Sequence, residues 1–411
     1  MIYQKFSKRQ NLTLTWWNRD QFKDLEGILC DGSIRSGKTV SMSVGFVLWS
    51  MTRFNGYSFA ICGKTIASLR RNVITMLPTL VEGIFTVIEK RSENKLIIQS
   101  GNTVNYYYLF GGRDESSYTL VQGMTLAGVL FDEVALMPRS FVEQAMARCS
   151  VSGSKIWFNC NPENPSHWFY VEWVKKYKER NILHLHFTMA DNLSLSDDIR
   201  RRYETMYSGV FYRRYILGEW VRAEGLVYPM FDPDKHIVHG PVTYSMRHRY
   251  YVAVDYGTVN PFAAGLWDYD PVAQKATMIK ELYYKGGSAE RVDNEAYYEM
   301  LEDLIGDLLI EYIIIDPSAS SMIETIQKYG KFSCVRADND VLNGIQDVTK
   351  FLNAGCLAFH DSCRCTFEEF DTYSWNEDAP SDSVIKENDH SMDQMRYFCR
   401  TALRTELKWI V

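Results

Sequence analysis

The chain has 411 residues, of which 46% are hydrophobic and 23% charged, and its formal net charge is −6. This length is enough for two or three domains with a substantial core, and no apolar run is long enough to predict a transmembrane helix. The nine cysteines are scattered and odd in number, which is typical of a reducing compartment. The acidic balance argues against tight, passive binding of nucleic acid over the whole surface.

A complete phosphate-binding loop pattern lies near the start of the chain. Residues 32–39 read Gly-Ser-Ile-Arg-Ser-Gly-Lys-Thr, a glycine followed by four residues and then Gly-Lys-Thr. The apolar stretch 27–30 predicts a strand before the loop, and residues 39–49 predict a helix after it. Backbone N–H groups and the helix N-terminus would surround the phosphates of ATP. We expect Lys38 to reach the outer phosphates and the Thr39 hydroxyl to hold Mg²⁺.

Two carboxylates, Asp132 and Glu133, end the apolar strand predicted over 126–131. In a P-loop ATPase the first would hold Mg²⁺ through water, and the second would polarise the attacking water as general base. The next predicted strand, 155–159, continues into Asn161-Pro162, which can sense the γ-phosphate or form an ordinary turn. A positive charge that stabilises the phosphates during hydrolysis could come from Arg35 or from Arg148. An arginine near a helix end is, however, often only solvated. The residues predicted to contact the nucleotide are Gly32, Ser33, Arg35, Ser36, Gly37, Lys38, Thr39, Asp132 and Asn161.

The apolar runs of the first half alternate with helical patterns, which predicts a three-layer α/β/α sheet domain. Further strands are expected at 59–62 and, as a hairpin around Ser100-Gly101-Asn102, at 96–99 and 104–110. Near residue 220 the composition changes, because glycines and prolines fill a stretch with little periodicity. We therefore predict an ATPase domain over 1–220, a linker over 221–245 and a second domain over 246–411.

The second half has a different order of elements. Strands are predicted at 250–255, 262–267 and 276–283, followed by a long helix near 289–309 and a strand at 312–316. Helices follow near 322–329 and 344–353, then a short strand at 357–359 and helices near 365–374 and 389–404. Three strands, a helix, a strand and a helix is the order of a ribonuclease H-like domain.

Acidic residues end two of these strands and begin the last helix. Asp255 and Asp316 each follow an apolar strand, and Asp389, His390 and Asp393 lie within one turn of each other on the helix. Three convergent carboxylates are what two Mg²⁺ or Mn²⁺ ions need for phosphodiester cleavage. Each aspartate alone could equally be a cap or turn residue.

Taken together, these residues resemble the large terminase subunit of tailed bacteriophages, and within it the group found in prophages such as PBSX. The resemblance covers nearly the whole chain and is most specific at 32–39, 123–138, 159–165, 218–220 and 389–397. It implies an N-terminal P-loop ATPase that drives double-stranded viral DNA into a procapsid, and a C-terminal ribonuclease H-like endonuclease that cuts concatemeric DNA. Residues 159–162 would couple hydrolysis to movement.

The resemblance also implies site residues and partners. It implies Asp255, Asp316 and Asp393 as metal ligands with His390 as an accessory, and leaves Asp389 as a rival to Asp393. The expected partners are DNA, a small terminase subunit, the portal of the procapsid and a ring of like subunits, in the host bacterial cytoplasm. Trp16, Trp17 and Gln21 lie where the adenine-contacting segment of the family falls.

Two other functions fit part of the pattern. A repair helicase-nuclease shares both chemistries, but it needs a second motor lobe where this chain has acids at strand ends. A non-catalytic scaffold could use the P-loop as a conformational switch, but the intact Asp132-Glu133 pair argues against that.

Overall fold

The computed structural model describes residues 6–257, 261–284 and 292–407. The chain divides into two compact units. The first runs to Arg201 and takes in Tyr212–Arg222, and the second contains Arg202–Phe211 and the chain from Ala223 onward. The boundaries at 220 and 245 stay predictions, and the structure adds that a short segment before residue 212 belongs with the second unit.

An eight-stranded sheet forms the centre of the first unit. Its strands are β1 (Gly27–Gly32), β2 (Ser58–Gly63), β3 (Thr86–Lys90), β4 (Lys95–Ser100), β5 (Thr103–Gly111), β6 (Gly128–Asp132), β7 (Lys155–Asn159) and β8 (Ile182–Phe187). They lie in the order β3-β4-β5-β2-β6-β7-β1-β8. The pairs among β5, β2, β6, β7, β1 and β8 are parallel, and β3 and β4 add an antiparallel edge. The carboxyl ends of β1, β6 and β7 therefore meet at one edge of the sheet.

Helices cover this sheet and bury its apolar strands. They are α1 (Lys8–Thr15), α2 (Lys38–Arg53), α3 (Ile66–Leu69), α4 (Leu77–Leu80) and α5 (Arg139–Ala147). A further helix, α6 (Asp197–Met206), has no buried residue and runs across the boundary between the two units in the sequence. Every residue of β1 and β6 is buried, as expected for parallel strands covered on both faces. Trp16 is fully buried and meets Trp157 edge-on at 5.4 Å between ring centroids. Trp16 is thus a core residue, and Gln21 is exposed.

The second unit is built on a seven-stranded mixed sheet. Its strands are β9 (Ile237–Val238), β10 (Arg249–Asp255), β11 (Phe262–Asp270), β12 (Lys275–Tyr284), β13 (Ile310–Ile315), β14 (Cys334–Arg336) and β15 (Leu357–His360). The order is β14-β13-β10-β11-β12-β15-β9. Strands β10, β11 and β12 form an antiparallel meander, and β13 pairs with β10 in parallel. The carboxyl ends of β10 and β13 consequently lie side by side.

Eight α-helices and one π-helix (Cys399–Leu403) accompany this sheet within the described residues. The α-helices are α7 (Gly209–Phe211), α8 (Pro233–His236), α9 (Asn294–Ile305), α10 (Ser320–Tyr329), α11 (Val341–Asn353), α12 (Arg364–Phe370), α13 (His390–Phe398) and α14 (Arg404–Glu406). The stretch 221–245, predicted as a linker, contains α8 and β9, and β9 pairs with β15 at the sheet edge. The long helix predicted over 289–309 corresponds to α9. Residues 289–291 of that prediction lie outside the described residues. Among the described helices, none combines the length and the apolar character that crossing a membrane requires.

Helix α13 lies against the middle of the second sheet. All residues from Ser391 to Phe398 are buried, and the Phe398 ring stacks on Trp267 of β11 at 4.3 Å. A Cβ on Gly265 would come within 2.5 Å of Gln394 Oε1, so glycine permits the helix to approach this closely. The packing holds the first turn of α13 beside the end of β10.

Candidate active sites

The phosphate-binding loop connects β1 to α2 at the carboxyl edge of the first sheet. Gly32 and Gly37 have φ values of 126° and 84°, which other residues rarely adopt. A Cβ on Gly37 would lie 2.2 Å from the side-chain nitrogen of Gln10. Arg35 also has a positive φ, and its carbonyl accepts a hydrogen bond of 2.7 Å from Asn192. The loop is therefore held in its curved shape from several sides.

Lys38 turns its ammonium group into the curve of this loop. It donates to the carbonyl oxygens of Gly32 and Ser33 at 3.0 and 2.7 Å, and to Asn161 Oδ1 at 3.1 Å. Burial lowers the pKa of Lys38 to about 8. The ammonium thus rests on neutral oxygens, which the oxygens of a phosphate could replace as stronger acceptors.

Three side chains meet behind the lysine, at the ends of two strands and the start of α2. The Thr39 hydroxyl lies 3.3 Å from Asp132 Oδ1, and Asn159 donates to Asp132 Oδ1 at 2.7 Å and to the Thr39 hydroxyl at 2.9 Å. Burial raises the pKa of Asp132 despite these hydrogen bonds. Threonine and carboxylate oxygens are the hard donors that Mg²⁺ prefers. The donor set therefore fits the predicted Mg²⁺.

Glu133 follows Asp132 in a left-handed conformation, with φ 59°. Burial raises the pKa of its carboxyl group, and the charge of Asp132 adds to the effect. A non-glycine residue held at positive φ is a local strain that often occurs at functional positions. A raised pKa also makes a carboxylate a stronger proton acceptor, as a general base requires.

The structure does not bring Arg148 to this group of residues. Its carbonyl accepts a hydrogen bond from Leu126 N at 2.9 Å, before β6 begins. Asp132 is the last residue of β6, so Arg148 lies toward the other edge of the sheet. Five strand residues span about 16 Å, which is farther than an arginine side chain reaches. The expected help from Arg148 at this chain's own loop therefore lacks structural support.

A buried carboxylate beside the loop did not emerge from the sequence pattern. Asp31, next to Gly32, is 1% exposed and hydrogen-bonds to His184 Nε2 at 2.8 Å, His186 Nδ1 at 3.0 Å and Trp220 Nε1 at 2.7 Å. Burial opposes ionisation, but the two histidines lower the pKa of Asp31. The sequence signal was a charged residue inside an apolar strand together with two histidines at alternate positions of β8.

Gly218 adds a second close contact at the same place. Its φ is 77°, and a Cβ there would lie 2.8 Å from Ser33 N. The Gly-Glu-Trp segment near the end of the first unit is therefore fastened to the base of the phosphate-binding loop by backbone proximity and by the Trp220 indole.

The second unit has a cleft of about 750 Å³ at the carboxyl ends of β10 and β13. Its lining includes all five residues predicted from the acidic strand ends and the last helix: Asp255, Asp316, Asp389, His390 and Asp393. His390 Nδ1 lies 2.8 Å from Asp255 Oδ2. The Tyr397 hydroxyl lies 2.8 Å from Asp316 Oδ2 and 3.4 Å from Asp255 Oδ1.

The environments of the two strand-end carboxylates differ. Burial raises the pKa of Asp255, and the hydrogen bond from His390 only partly opposes it. For Asp316, burial is outweighed by hydrogen bonds from Ser318 and Tyr397 and by the charge of Arg396, so that its pKa is lowered. The Asp255 hydrogen bond in turn raises the pKa of His390.

Basic side chains contact the carboxylates at the start of α13. Arg396, which is 1% exposed in its side chain, contacts Asp393 Oδ1 at 2.8 Å. Lys386 Nζ lies 2.9 Å from Asp389 Oδ2 and 3.1 Å from Asp393 Oδ2. Across the described ranges, no three His, Cys, Asp or Glu side chains are already arranged to hold a metal ion. The oxygen donors that two hard cations need are present in one cleft, but two basic side chains neutralise part of them.

Comparison with known proteins shows the family of this chain. Residues 29–233 match the family model described as "Terminase large subunit, T4likevirus-type, N-terminal". A solved large terminase from a thermophilic bacteriophage is 48% identical over 97% of this chain and 100% of its own, with a TM-score of 0.91. The chain belongs to the phage large terminase family. No curated protein sequence matches it.

Two further structures of the large terminase from that thermophilic phage are each 47% identical to this chain. They contain ADP and ATP-gamma-S and superpose with TM-scores of 0.87 and 0.86, again over 97% of this chain and 100% of theirs. The large terminase assignment predicted from the sequence is confirmed, as is the α/β fold with a P-loop ATPase and a ribonuclease H-like nuclease. This terminase is thus an ATP-driven DNA-packaging motor and an endonuclease. The narrower PBSX-type assignment stays a prediction.

Proposed function

We propose that the first unit binds and hydrolyses ATP at the loop over 32–39. The relative from the thermophilic phage has been solved with ADP and with ATP-gamma-S, and the same fold is present here. Lys38 leaves the carbonyl oxygens that it contacts and binds the outer phosphates. The Thr39 hydroxyl and Asp132 would hold Mg²⁺, which would supply positive charge beside the phosphates. Glu133 accepts a proton from the attacking water.

Coupling of hydrolysis to movement would pass through Asn159 and Asn161. Asn159 contacts both Thr39 and Asp132, and Asn161 contacts Lys38. Loss of the γ-phosphate changes the charge that Lys38 faces, so the hydrogen bond to Asn161 can form or break with the nucleotide state. The segment over 159–162 is therefore positioned to respond to hydrolysis.

The cleft of the second unit is the proposed nuclease centre. Asp255, Asp316 and Asp393 would hold two Mg²⁺ or Mn²⁺ ions, with Asp389 as the alternative to Asp393. Such an ion pair activates water and stabilises the departing oxygen. His390 orients the Asp255 carboxylate by its hydrogen bond, and Tyr397 holds Asp255 and Asp316 toward each other.

The partners proposed for this terminase follow from its family. They are double-stranded DNA, a small terminase subunit, the portal of a procapsid and further copies of the chain in a ring. The place of action would be the host bacterial cytoplasm.

The observation that carries the nuclease proposal is the contact of one hydroxyl, that of Tyr397, with two carboxylates from different strands.

Two variants of the full chain test both centres together. Lys38→Ala should abolish phosphate release from Mg·ATP and leave Mn²⁺-dependent plasmid cleavage intact. Asp255→Asn should abolish cleavage and leave ATP turnover intact. Lys23→Ala and the exposed Asp378→Asn serve as matched controls.

The two activities must separate for the proposal to hold. Loss of both in Asp255→Asn would indicate misfolding or a wrong assignment of the second unit. Cleavage without any added divalent ion would contradict the two-ion centre. Unwinding of forked duplexes by the wild type would favour a helicase-nuclease.

A further inference from the structure

Lys386 lies at the mouth of the nuclease cleft between two acidic side chains. Its ammonium is 2.9 Å from Asp389 Oδ2 and 3.1 Å from Asp393 Oδ2. The lysine side chain is 55% exposed, whereas the two carboxylates are 8% and 11% exposed. A solvent-reaching cation thus bridges two carboxylates that are themselves buried.

The two sides of the cleft are neutralised differently. On the α13 side, Asp393 has Arg396 on Oδ1 and Lys386 on Oδ2, so both of its oxygens face full positive charges. On the strand side, Asp316 accepts from neutral groups: the Ser318 N–H, the Tyr397 hydroxyl and the Asn339 amide. Asp255 accepts from His390 and Tyr397. A divalent ion can therefore join Asp255 and Asp316 without removing a lysine or an arginine.

We propose that the Lys386 ammonium occupies the position of the second divalent ion, so that the nuclease centre loads one ion readily and the other only after Lys386 withdraws. This inference rests on the proposed nuclease centre and adds the order in which its ions bind. An ammonium and a divalent ion on the same carboxylate oxygens repel each other, because each must lie within about 3 Å of those oxygens.

Lys386 rather than Arg396 is the group that can leave. Arg396 is almost fully buried and also contacts Asn339 Oδ1 through both of its terminal nitrogens at 3.1 Å. Lys386 is anchored by the two carboxylates at the end of a flexible stem that reaches solvent. Because more than half of its side chain is already exposed, Lys386 can rotate toward solvent about this stem.

The experiment measures ion binding rather than cleavage. Free Mn²⁺ is followed by electron paramagnetic resonance during titration of the full chain without nucleotide, in an Asp132→Asn background that removes the proposed metal-holding carboxylate of the ATPase unit. The wild-type cleft should bind one ion strongly and a second weakly. Lys386→Met should raise the affinity for the second ion about tenfold or more, because a unit charge a few ångströms away is removed.

Two controls separate charge from structure. Lys386→Arg keeps the positive charge and should bind like the wild type. Lys331→Met removes a comparably exposed lysine that pairs with Glu302 at 2.8 Å elsewhere in the same unit, and should also bind like the wild type. Equal binding of both ions by the wild type and Lys386→Met would overturn the inference while leaving the nuclease centre in place.

A different result would remove the centre itself. If Asp255→Asn combined with Asp316→Asn binds as many Mn²⁺ ions as the wild type, the ions lie elsewhere, and both the nuclease centre and the role of Lys386 are wrong. If the double variant no longer binds the first Mn²⁺ ion and Lys386→Met binds the second ion more tightly, both the nuclease centre and the role of Lys386 are supported.

Discussion

Asn159 donates a hydrogen bond of 2.7 Å to the Asp132 carboxylate, joining the last residues of two neighbouring parallel strands. The same amide group reaches the Thr39 hydroxyl at 2.9 Å. One side chain therefore fixes the distance between the threonine at the start of α2 and the carboxylate at the end of β6. Asn159 thus belongs to the proposed nucleotide site as well as to the segment that leaves it.

Replacing Asn159 by leucine tests this role. The variant keeps the branching and the heavy-atom count of the side chain and removes both N–H donors, so the Asp132 carboxylate loses a hydrogen bond worth about 1.5–3 kcal/mol. We expect the kcat for Mg·ATP hydrolysis to fall about 10- to 100-fold. Phosphate release measured on the full chain checks the prediction. The exposed Asn11→Leu should turn over ATP like the wild type, and an unchanged kcat in Asn159→Leu would contradict the role.

Glu133 is the proposed general base and gives the second prediction. Glu133→Gln keeps the shape of the side chain but cannot accept the proton of the attacking water, so kcat should fall about 10²- to 10⁴-fold. Binding of a fluorescent ATP analogue should persist, because Lys38 and the loop are unchanged. The exposed Glu143→Gln on α5 is the matched control. Near-normal turnover in Glu133→Gln would remove Glu133 from the mechanism.

The pair formed by His186 and Asp31 predicts a pH-dependent stability. The hydrogen bond that His186 donates to Asp31 raises the pKa of His186, while burial and the charges of Lys38 and Arg9 oppose the rise. A raised folded-state pKa stabilises the protein fully below the unfolded value and loses this contribution as pH rises through the folded value. His186→Gln should therefore lower the melting temperature more at pH 5.5 than at pH 9.

Calorimetry of the wild type and the variant at both pH values measures this difference. The exposed His239→Gln in the second unit serves as the control and should change the melting temperature little at either pH. A larger loss at pH 9 than at pH 5.5 for His186→Gln would mean that the histidine stabilises the fold in its neutral form.

The sheets could be predicted where strands are continuous apolar runs. Strands β1 and β6, most of β10 and the second half of β13 are buried on both faces, so their sequences need no alternation to be recognised. Four edge strands, β3, β8, β9 and β14, were not predicted. Of these, β9 has only two residues and β14 three, and neither carries a periodic pattern. Pairing with a neighbour distant in sequence makes these residues strands, and composition does not record that pairing.

The sites were predictable where chemistry follows a strand and less so where it depends on a loop. Asp132, Asp255 and Asp316 all end apolar strands, and the order of those strands brings them to sheet edges. Lys386 could not be found in this way, because its place between Asp389 and Asp393 depends on the path of an irregular segment. Asp31 was missed because His184 and Trp220, which satisfy its buried charge, lie more than 150 residues away.

Glu369 gives the last prediction, for the nuclease unit. Its carboxylate is 3% exposed and accepts hydrogen bonds from the N–H groups of Ser391 and Met392 at 2.7 and 3.0 Å, and from Tyr283 at 2.7 Å. It thereby fixes the first turn of α13, which carries His390. Glu369→Gln weakens these bonds, so plasmid cleavage should fall about tenfold while ATP turnover stays unchanged. The neighbouring, exposed Glu368→Gln should cleave normally, and full cleavage by Glu369→Gln would show that the first turn of α13 is positioned without this charge.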